Sequence, residues 1–149
     1  MAFVNKSFLS NIRTLHTLKR SLLLARRCCT FTRQWSEVEY EKRSEETLVA
    51  LNEYLDTLAD RVECDSAYDV SYSMGVLTAH IGPSVGTYVI NKQNPNKQIW
   101  LSSPISGPKR YDLSDTGQWV YKHDGMPLNE LLEKEFRRIF NTDRISIQI

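Results

Sequence analysis

The segment NKQNPNKQIWLSSPISGPKRYD, residues 91–112, places a single tryptophan among amides and prolines. Its central run, QIWLSS, alternates in the way that is typical of a strand with one buried side. Ile99 and Leu101 form the apolar pair, whereas Trp100 falls on the same side as Gln98. The alternation therefore predicts a strand whose polar side faces water and carries an exposed indole.

Four further short runs have a β-type composition and are bounded by Gly, Pro or Asn. They are residues 68–72, GVLTAHI at 75–81, GTYVINK at 86–92 and QWVYK at 118–122. The connectors IGPSVG and QNPNK are short enough for tight turns, which favours antiparallel pairing of neighbours. The alternation directs these side chains inward: Leu77, Ala79, Ile81, Tyr88, Ile90, Trp119 and Tyr121.

Helical spacing of apolar residues flanks these five predicted strands on both sides. The first helix is predicted over residues 38–62, and its buried face is formed by Leu48, Leu51, Leu55, Leu58 and Val62. The second begins near Pro127, and its buried face is formed by Leu128, Leu131, Leu132, Phe136, Ile139 and Phe140. Isoleucines at 145, 147 and 149 are expected to lie against the helices. We predict an α+β two-layer sandwich, with two helices on one face of an antiparallel sheet in the order α-β-β-β-β-β-α.

The net charge of +1 conceals two different regions. Residues 1–36 carry seven basic and no acidic side chains, with apolar residues at helical spacing. This composition is typical of a mitochondrial presequence, although basic arms also bind nucleic acid or anionic membranes. We therefore predict a transit peptide at 1–36 that is removed, a domain at 37–149 and a location in the mitochondrial matrix.

Acidic side chains concentrate at the start of the predicted domain. Residues 37–69 hold eleven acids against three bases, whereas residues 70–149 hold seven acids and nine bases. Exposed carboxylates without an enclosing cage suit hard divalent cations and are expected to bind them weakly and exchangeably. A merely solvated helix face is the alternative interpretation. His80, His123 and the lone domain cysteine, Cys64, are interpreted as structural or surface residues.

The blocks SEETL, YDVSYSMGVLT, GTYVINKQNPNKQIWLSSPISGPKRYD and WVYKHDG resemble the frataxin family over about residues 39–140. The resemblance implies an iron-binding protein that takes Fe²⁺ exchangeably, with Fe³⁺ as a second form. It implies an acidic ridge for this iron, formed by Glu41, Glu45, Glu46, Glu53, Asp56, Asp60 and Asp69. Thr57 and Ala67 stand where other members of the family carry acids.

The same resemblance implies partners for the open sheet face. In this family that face docks on the mitochondrial iron–sulfur cluster assembly complex, where it contacts the cysteine desulfurase and the scaffold protein and activates sulfur transfer. The implied contact residues are Asn91, Gln93, Gln98, Trp100 and Arg110. Ferroxidase activity, the oxidation of Fe²⁺ to Fe³⁺ by O₂, is the alternative function that the resemblance implies. A monomer with iron-dependent oligomers is expected.

Overall fold

The computed structural model describes residues 34–149. Helix α1 (Glu37–Asp56) continues into a 3₁₀ turn (Thr57–Asp60), and six strands and a second helix follow. These elements are β1 (Asp69–Ser73), β2 (Val76–Gly82), β3 (Gly86–Gln93), β4 (Gln98–Ser103), β5 (Gly107–Leu113), β6 (Trp119–Tyr121) and α2 (Leu128–Ile139). Each strand pairs antiparallel with the next, in the order β1 to β6. The predicted α+β sandwich is therefore confirmed.

The sheet contains one strand more than the five that the sequence predicts. The additional strand is β5, whose sequence GPKRYDL hides its alternation behind a proline and two basic residues. Strand β6 pairs only with residues 111–113 of β5, so Pro108 has no strand neighbour on that side. A missing backbone N–H is tolerated at such an unpaired position. The order of elements along the chain is therefore α-β-β-β-β-β-β-α and not the predicted α-β-β-β-β-β-α.

The helices cover one face of the sheet, and the predicted inward side chains form the core. Ile99 and Leu101 are 0% and 2% exposed. Tyr121 is partly buried and packs against the core. The other strand residues predicted to point inward are buried: Leu77, Ala79, Ile81, Tyr88, Ile90 and Trp119. The indole Nε1 of Trp119 donates a hydrogen bond to Thr47 Oγ1 of α1 at 2.9 Å, so the one polar atom of this ring is satisfied.

Helix α1 crosses the sheet from its centre to its first strand. Near the start of the helix, the Tyr40 hydroxyl donates to the carbonyl of Gln98 in β4 at 2.8 Å. Near its end, the hydroxyl of Tyr68, just before β1, donates to the carbonyl of Leu55 at 2.6 Å. The last acidic residues of α1 therefore lie beside β1, which is an edge strand.

The α-helical part of α1 ends at Asp56, earlier than the predicted limit of residue 62. The last turn contains no base that would complement the negative end of the helix dipole. Arg61 instead folds back and donates to the carbonyls of Tyr54 and Thr57 at 3.2 and 3.3 Å. Leu58, which the apolar spacing placed on the buried face, is buried even though it lies in the 3₁₀ turn.

The folded domain begins before Glu37, the residue at which it was predicted to start. Trp35 Nε1 donates to the Ser114 carbonyl at 3.1 Å, and Lys97 Nζ donates to the Trp35 carbonyl at 2.8 Å. Ser36 is the N-cap of α1 and forms a capping box with Glu39. Residues 1–33 of the predicted transit peptide lie outside the described residues.

The end of the chain is held between the two helices, as expected. Ile145 and Ile147 are each 1% exposed. The amide of Ile147 donates to Glu133 of α2 at 2.7 Å, and the amide of Ser146 donates to the Tyr54 hydroxyl of α1 at 3.1 Å. Within residues 34–149, neither helix has the length and hydropathy needed to span a bilayer.

Candidate functional site

The sheet face away from the helices, called the open face below, brings all five predicted contact residues together. In the strand register, Asn91 of β3 lies opposite Trp100 of β4, and Trp100 lies opposite Arg110 of β5. In the adjacent row, Gln93 lies opposite Gln98. Directly opposed residues project on the same side of an antiparallel sheet. The five side chains therefore form one contiguous patch across three strands.

Trp100 lies on the predicted side of β4, and its ring is half-buried. The guanidinium carbon of Arg110 lies 4.4 Å from the ring centroid, a cation–π distance. The indole Nε1 donates to Gln98 Oε1 at 3.0 Å. The indole is thus held in one orientation before any partner binds, which lowers the entropic cost of using it as an anchor.

Two residues of this patch were missed by the sequence analysis. Gln98 Nε2 donates to Asp112 Oδ1 at 3.0 Å, and Asp112 forms an ion pair with Lys122 at 3.3 Å. Asp112 lies on the same face because it is paired with Gln98 in the register. The sequence analysis did not predict β5 as a strand, so neither Asp112 nor its pairing with Gln98 could be found from the sequence pattern.

The acidic ridge predicted from the sequence divides into two halves with different surroundings. Its second half consists of Glu53, Asp56, Asp60 and Asp69, all exposed. Within residues 34–149, none of these four carboxylates lies within ion-pair distance of a Lys or Arg side chain. Arg61 is the nearest base in sequence, but its guanidinium is bonded to backbone carbonyls and packs on the Tyr54 ring at 4.6 Å. The second half therefore keeps its negative charge uncompensated.

The first half of the acidic ridge, Glu41, Glu45 and Glu46, is paired with bases. Lys92 of β3 reaches both Glu41 and Glu45, the latter at 2.9 Å. Glu46 lies 3.4 Å from Arg43 and 3.9 Å from Lys42. Most of these pairs are not i,i+4 pairs within the helix, since Lys92 comes from a strand that is distant in sequence. The hydrogen bond from Lys92 lowers the pKa of the Glu45 carboxyl.

The sequence analysis also considered His80 and Cys64, which are residue types that bind metals in other proteins. His80 shares a 2.9 Å hydrogen bond with Thr87, and burial raises the pKa of the Cys64 thiol. Across the described part of the chain, no three His, Cys, Asp or Glu side chains converge closely enough to enclose a metal ion. The acidic ridge is thus a row of carboxylates along a surface.

Comparison with known proteins agrees with this architecture. A family model described as a frataxin-like domain matches residues 33–142. The chain is 56% identical over 114 residues to mitochondrial frataxin of Caenorhabditis elegans, covering 76% of this chain and 84% of that protein. It is 50% identical over 109 residues to the mitochondrial frataxin homolog of Drosophila melanogaster, covering 71% of this chain and 57% of the fly protein.

A solved structure shares the fold and a substantial part of the sequence. Trimeric frataxin from the yeast Saccharomyces cerevisiae, complexed with ferrous iron, matches with a TM-score of 0.60 and 40% identity. The match covers 74% of this chain and 90% of the yeast chain. The family model and the nematode protein each extend over most of the domain described above. The chain therefore belongs to the frataxin family.

Proposed function

We propose that this chain is a mitochondrial matrix protein that binds Fe²⁺ weakly on the acidic ridge and supports iron–sulfur cluster assembly. Its open face docks on the complex of cysteine desulfurase and scaffold protein and activates sulfur transfer. The proposal is supported chiefly by one observation: the five contact positions taken from the family resemblance are neighbours in the strand register. Residues that merely share a sequence block do not generally fall on one face of three strands.

The electrostatics of the acidic ridge support the iron part of the proposal. Four exposed carboxylates, without a basic partner among residues 34–149, create a local negative potential that attracts cations and basic protein surfaces. Fe²⁺ is low in the affinity order of divalent metals, so open carboxylate sites bind it exchangeably. Because the yeast relative is complexed with ferrous iron, Fe²⁺ is the cation that we propose for the acidic ridge.

Replacing Trp100 by Ala tests the docking surface. Truncation of a central aromatic anchor typically costs about 2 kcal/mol or more, which is roughly 30-fold in affinity. We expect the variant to lose stimulation of cluster assembly by the desulfurase–scaffold complex while its thermal unfolding stays cooperative. Ser102→Ala, at an exposed position on the same strand and side, is the control and should stimulate fully. Full stimulation by Trp100→Ala would refute the docking role.

Titration with Fe²⁺ in the absence of oxygen tests the metal role. The double variant Glu53→Gln/Asp56→Asn removes two carboxylates from the second half of the ridge. Its matched control, Glu130→Gln/Asp143→Asn, makes the same chemical changes at exposed positions outside the ridge. We expect the first variant alone to lose affinity at physiological ionic strength. Equal iron binding by both variants would leave the ridge as a purely electrostatic docking face.

Ferroxidase activity is the alternative function. A ferritin-type di-iron centre uses inward-facing acids and a Glu-x-x-His motif on helices. The ridge acids point outward here, and no Glu lies three residues before any His of the chain. Saturable O₂ consumption per added Fe²⁺ that disappears in Glu53→Gln/Asp56→Asn, and persists in the control pair, would establish this alternative instead.

A further inference from the structure

Among residues 34–149, Lys92 is the only strand residue that forms an ion pair with the acidic ridge. It follows Tyr88 and Ile90 on the inward side of β3, at the end of the strand where the core stops. Its side chain is 16% exposed, and its ammonium group bonds to both Glu41 and Glu45 of α1. A cation of this chain therefore already occupies the position between two carboxylates of the ridge.

The Lys92 side chain is held in this position by the turn between β1 and β2. A Cβ atom built on Gly75 would lie 2.6 Å from Lys92 Cε, so the lysine stem lies directly across the Gly75 backbone. The Lys92 amide also donates to the Gly75 carbonyl at 3.0 Å. Gly75 has a φ of +77°, and a larger residue there would be strained and would displace the lysine. The ammonium position is therefore built into the fold.

Strand β1 contributes no charged side chain to the group formed by Lys92, Glu41 and Glu45. Tyr72 faces the same cluster, and burial raises the pKa of its hydroxyl to about 12, so the phenol stays neutral at physiological pH. Glu41 and Glu45 are four residues apart on one face of α1, a spacing at which two carboxylates can share a cation. A divalent ion would compete with Lys92 for the same oxygens and would be repelled by its charge.

We propose that Lys92 decides where on the acidic ridge a divalent cation binds. By occupying the Glu41–Glu45 pair it excludes metal from the first half and confines binding to Glu53, Asp56, Asp60 and Asp69. This inference rests on the proposed iron-binding function. It assigns to Lys92 a specificity role that differs from the docking role of its neighbours Asn91 and Gln93, which project to the opposite face.

The test compares Lys92→Met with Lys42→Met in the full chain. Methionine keeps the stem over Gly75 and removes the charge. Lys42→Met removes an equal charge from an ion pair of 3.9 Å whose lysine is 76% exposed, so it controls for the change in net charge. Lys92→Arg keeps the positive charge and should behave like the wild type. Thermal unfolding identifies any variant that is not folded.

Mn²⁺, a paramagnetic and air-stable divalent ion, is the probe, and line broadening of ¹⁵N-labelled amide signals reports where it binds. In the wild type we expect broadening near Asp56 and Asp60 but not at Glu41 or Glu45. Lys92→Met should add broadening at Glu41 and Glu45 and bind Mn²⁺ there about tenfold or more tightly than Lys42→Met does. Broadening at Glu41 and Glu45 in the wild type, or identical patterns in the two Met variants, would overturn the inference.

The proposed function and this inference fail differently. If the wild type shows no broadening anywhere on the ridge, metal binding in the proposed function is refuted, and confinement to the second half is refuted with it. The excluding role of Lys92 is then still supported if Lys92→Met alone gains broadening at Glu41 and Glu45. It is overturned if that variant gains none.

Discussion

A chain that begins at Glu37, where the domain was predicted to start, should be markedly less stable than one that begins at Trp35. Removing Ser36 deletes the N-cap side chain, whose Oγ accepts from the Glu39 amide at 3.2 Å. Loss of such a cap costs about 1 kcal/mol. Removing Trp35 deletes its hydrogen bonds to Ser114 and Lys97, at 3.1 and 2.8 Å. Each contributes about 1 kcal/mol net, so the total loss is roughly 3 kcal/mol.

Thermal unfolding followed by circular dichroism measures this loss. A loss of 1 kcal/mol lowers the Tm of a domain of this size by about 4 °C, so the expected decrease is roughly 12 °C. Chains beginning at Gln34 and at Trp35 should melt together, because Gln34 is exposed. A chain beginning at Ser36, and Trp35→Ala within the longer chain, should have Tm values between those of the chains that begin at Trp35 and at Glu37.

Equal Tm values for the chains beginning at Trp35 and Glu37 would refute this reasoning, since they would show that neither the cap nor the tryptophan contributes. The outcome bears on maturation as well. A protease that removed residues 1–36 would also remove both stabilising groups. We therefore expect the intact mass of the processed protein to show an N-terminus at or before Trp35.

Two further predictions concern the chain end and the pH dependence of stability. Ending the chain at Asp143 removes Ile145 and Ile147, which are 1% exposed, and should lower the free energy of unfolding in urea by about 3–6 kcal/mol. A loss below about 1 kcal/mol would contradict the packing described. Because Lys92 lowers the folded-state pKa of Glu45, this pair stabilises the fold above the ordinary carboxyl pKa of 4.5 and loses that contribution as pH falls. The free energy by which the wild type is more stable than Lys92→Met should therefore decrease in acid. A difference that does not depend on pH would contradict the ion pair.

The periodic parts of the fold could be predicted from the sequence because burial is one-sided. When helices cover a single face, every second strand residue is apolar, and this placed Ile99 and Leu101 inside and Trp100 outside. The same pattern identified Trp119 as a core residue. Local spacing alone was therefore sufficient to predict which face of the sheet carries Trp100.

Strand β5 was not predictable in the same way, since its inward residues are not uniformly apolar. Lys109 lies on the inward side, where its ammonium group sits 4.8 Å from the centroid of the Tyr121 ring. A lysine can occupy such a site because its stem is apolar and its charge contacts an aromatic face. A sequence pattern of apolar and polar residues counts this position as polar and so misses the strand.

The contacts that join distant segments were also inaccessible from the sequence. Lys92 and Glu45 are 47 residues apart, and Trp35 and Ser114 are 79 residues apart. Nothing in a single sequence distinguishes Lys92 from the other lysines until the register of β3 and the path of α1 are known. The charge of the acidic ridge was read correctly from composition, whereas its division into two halves required the fold.

The positions of the two surfaces determine whether the two proposed ligands would compete with each other. The contact patch lies on β3, β4 and β5 on the open face, whereas Glu53 and Asp56 lie on α1, on the helix side next to edge strand β1. Asp69 is paired with His80 and projects on the open face, but β2 lies between its strand and the contact strands. The sheet separates the patch from the helix carboxylates, so a partner bound over Trp100 would not cover Asp56. Lys92 strengthens this separation, because it neutralises the acids of α1 that lie nearest to the contact strands. We therefore expect the proposed cation on α1 and the proposed protein partner on the open face to bind at the same time without overlap.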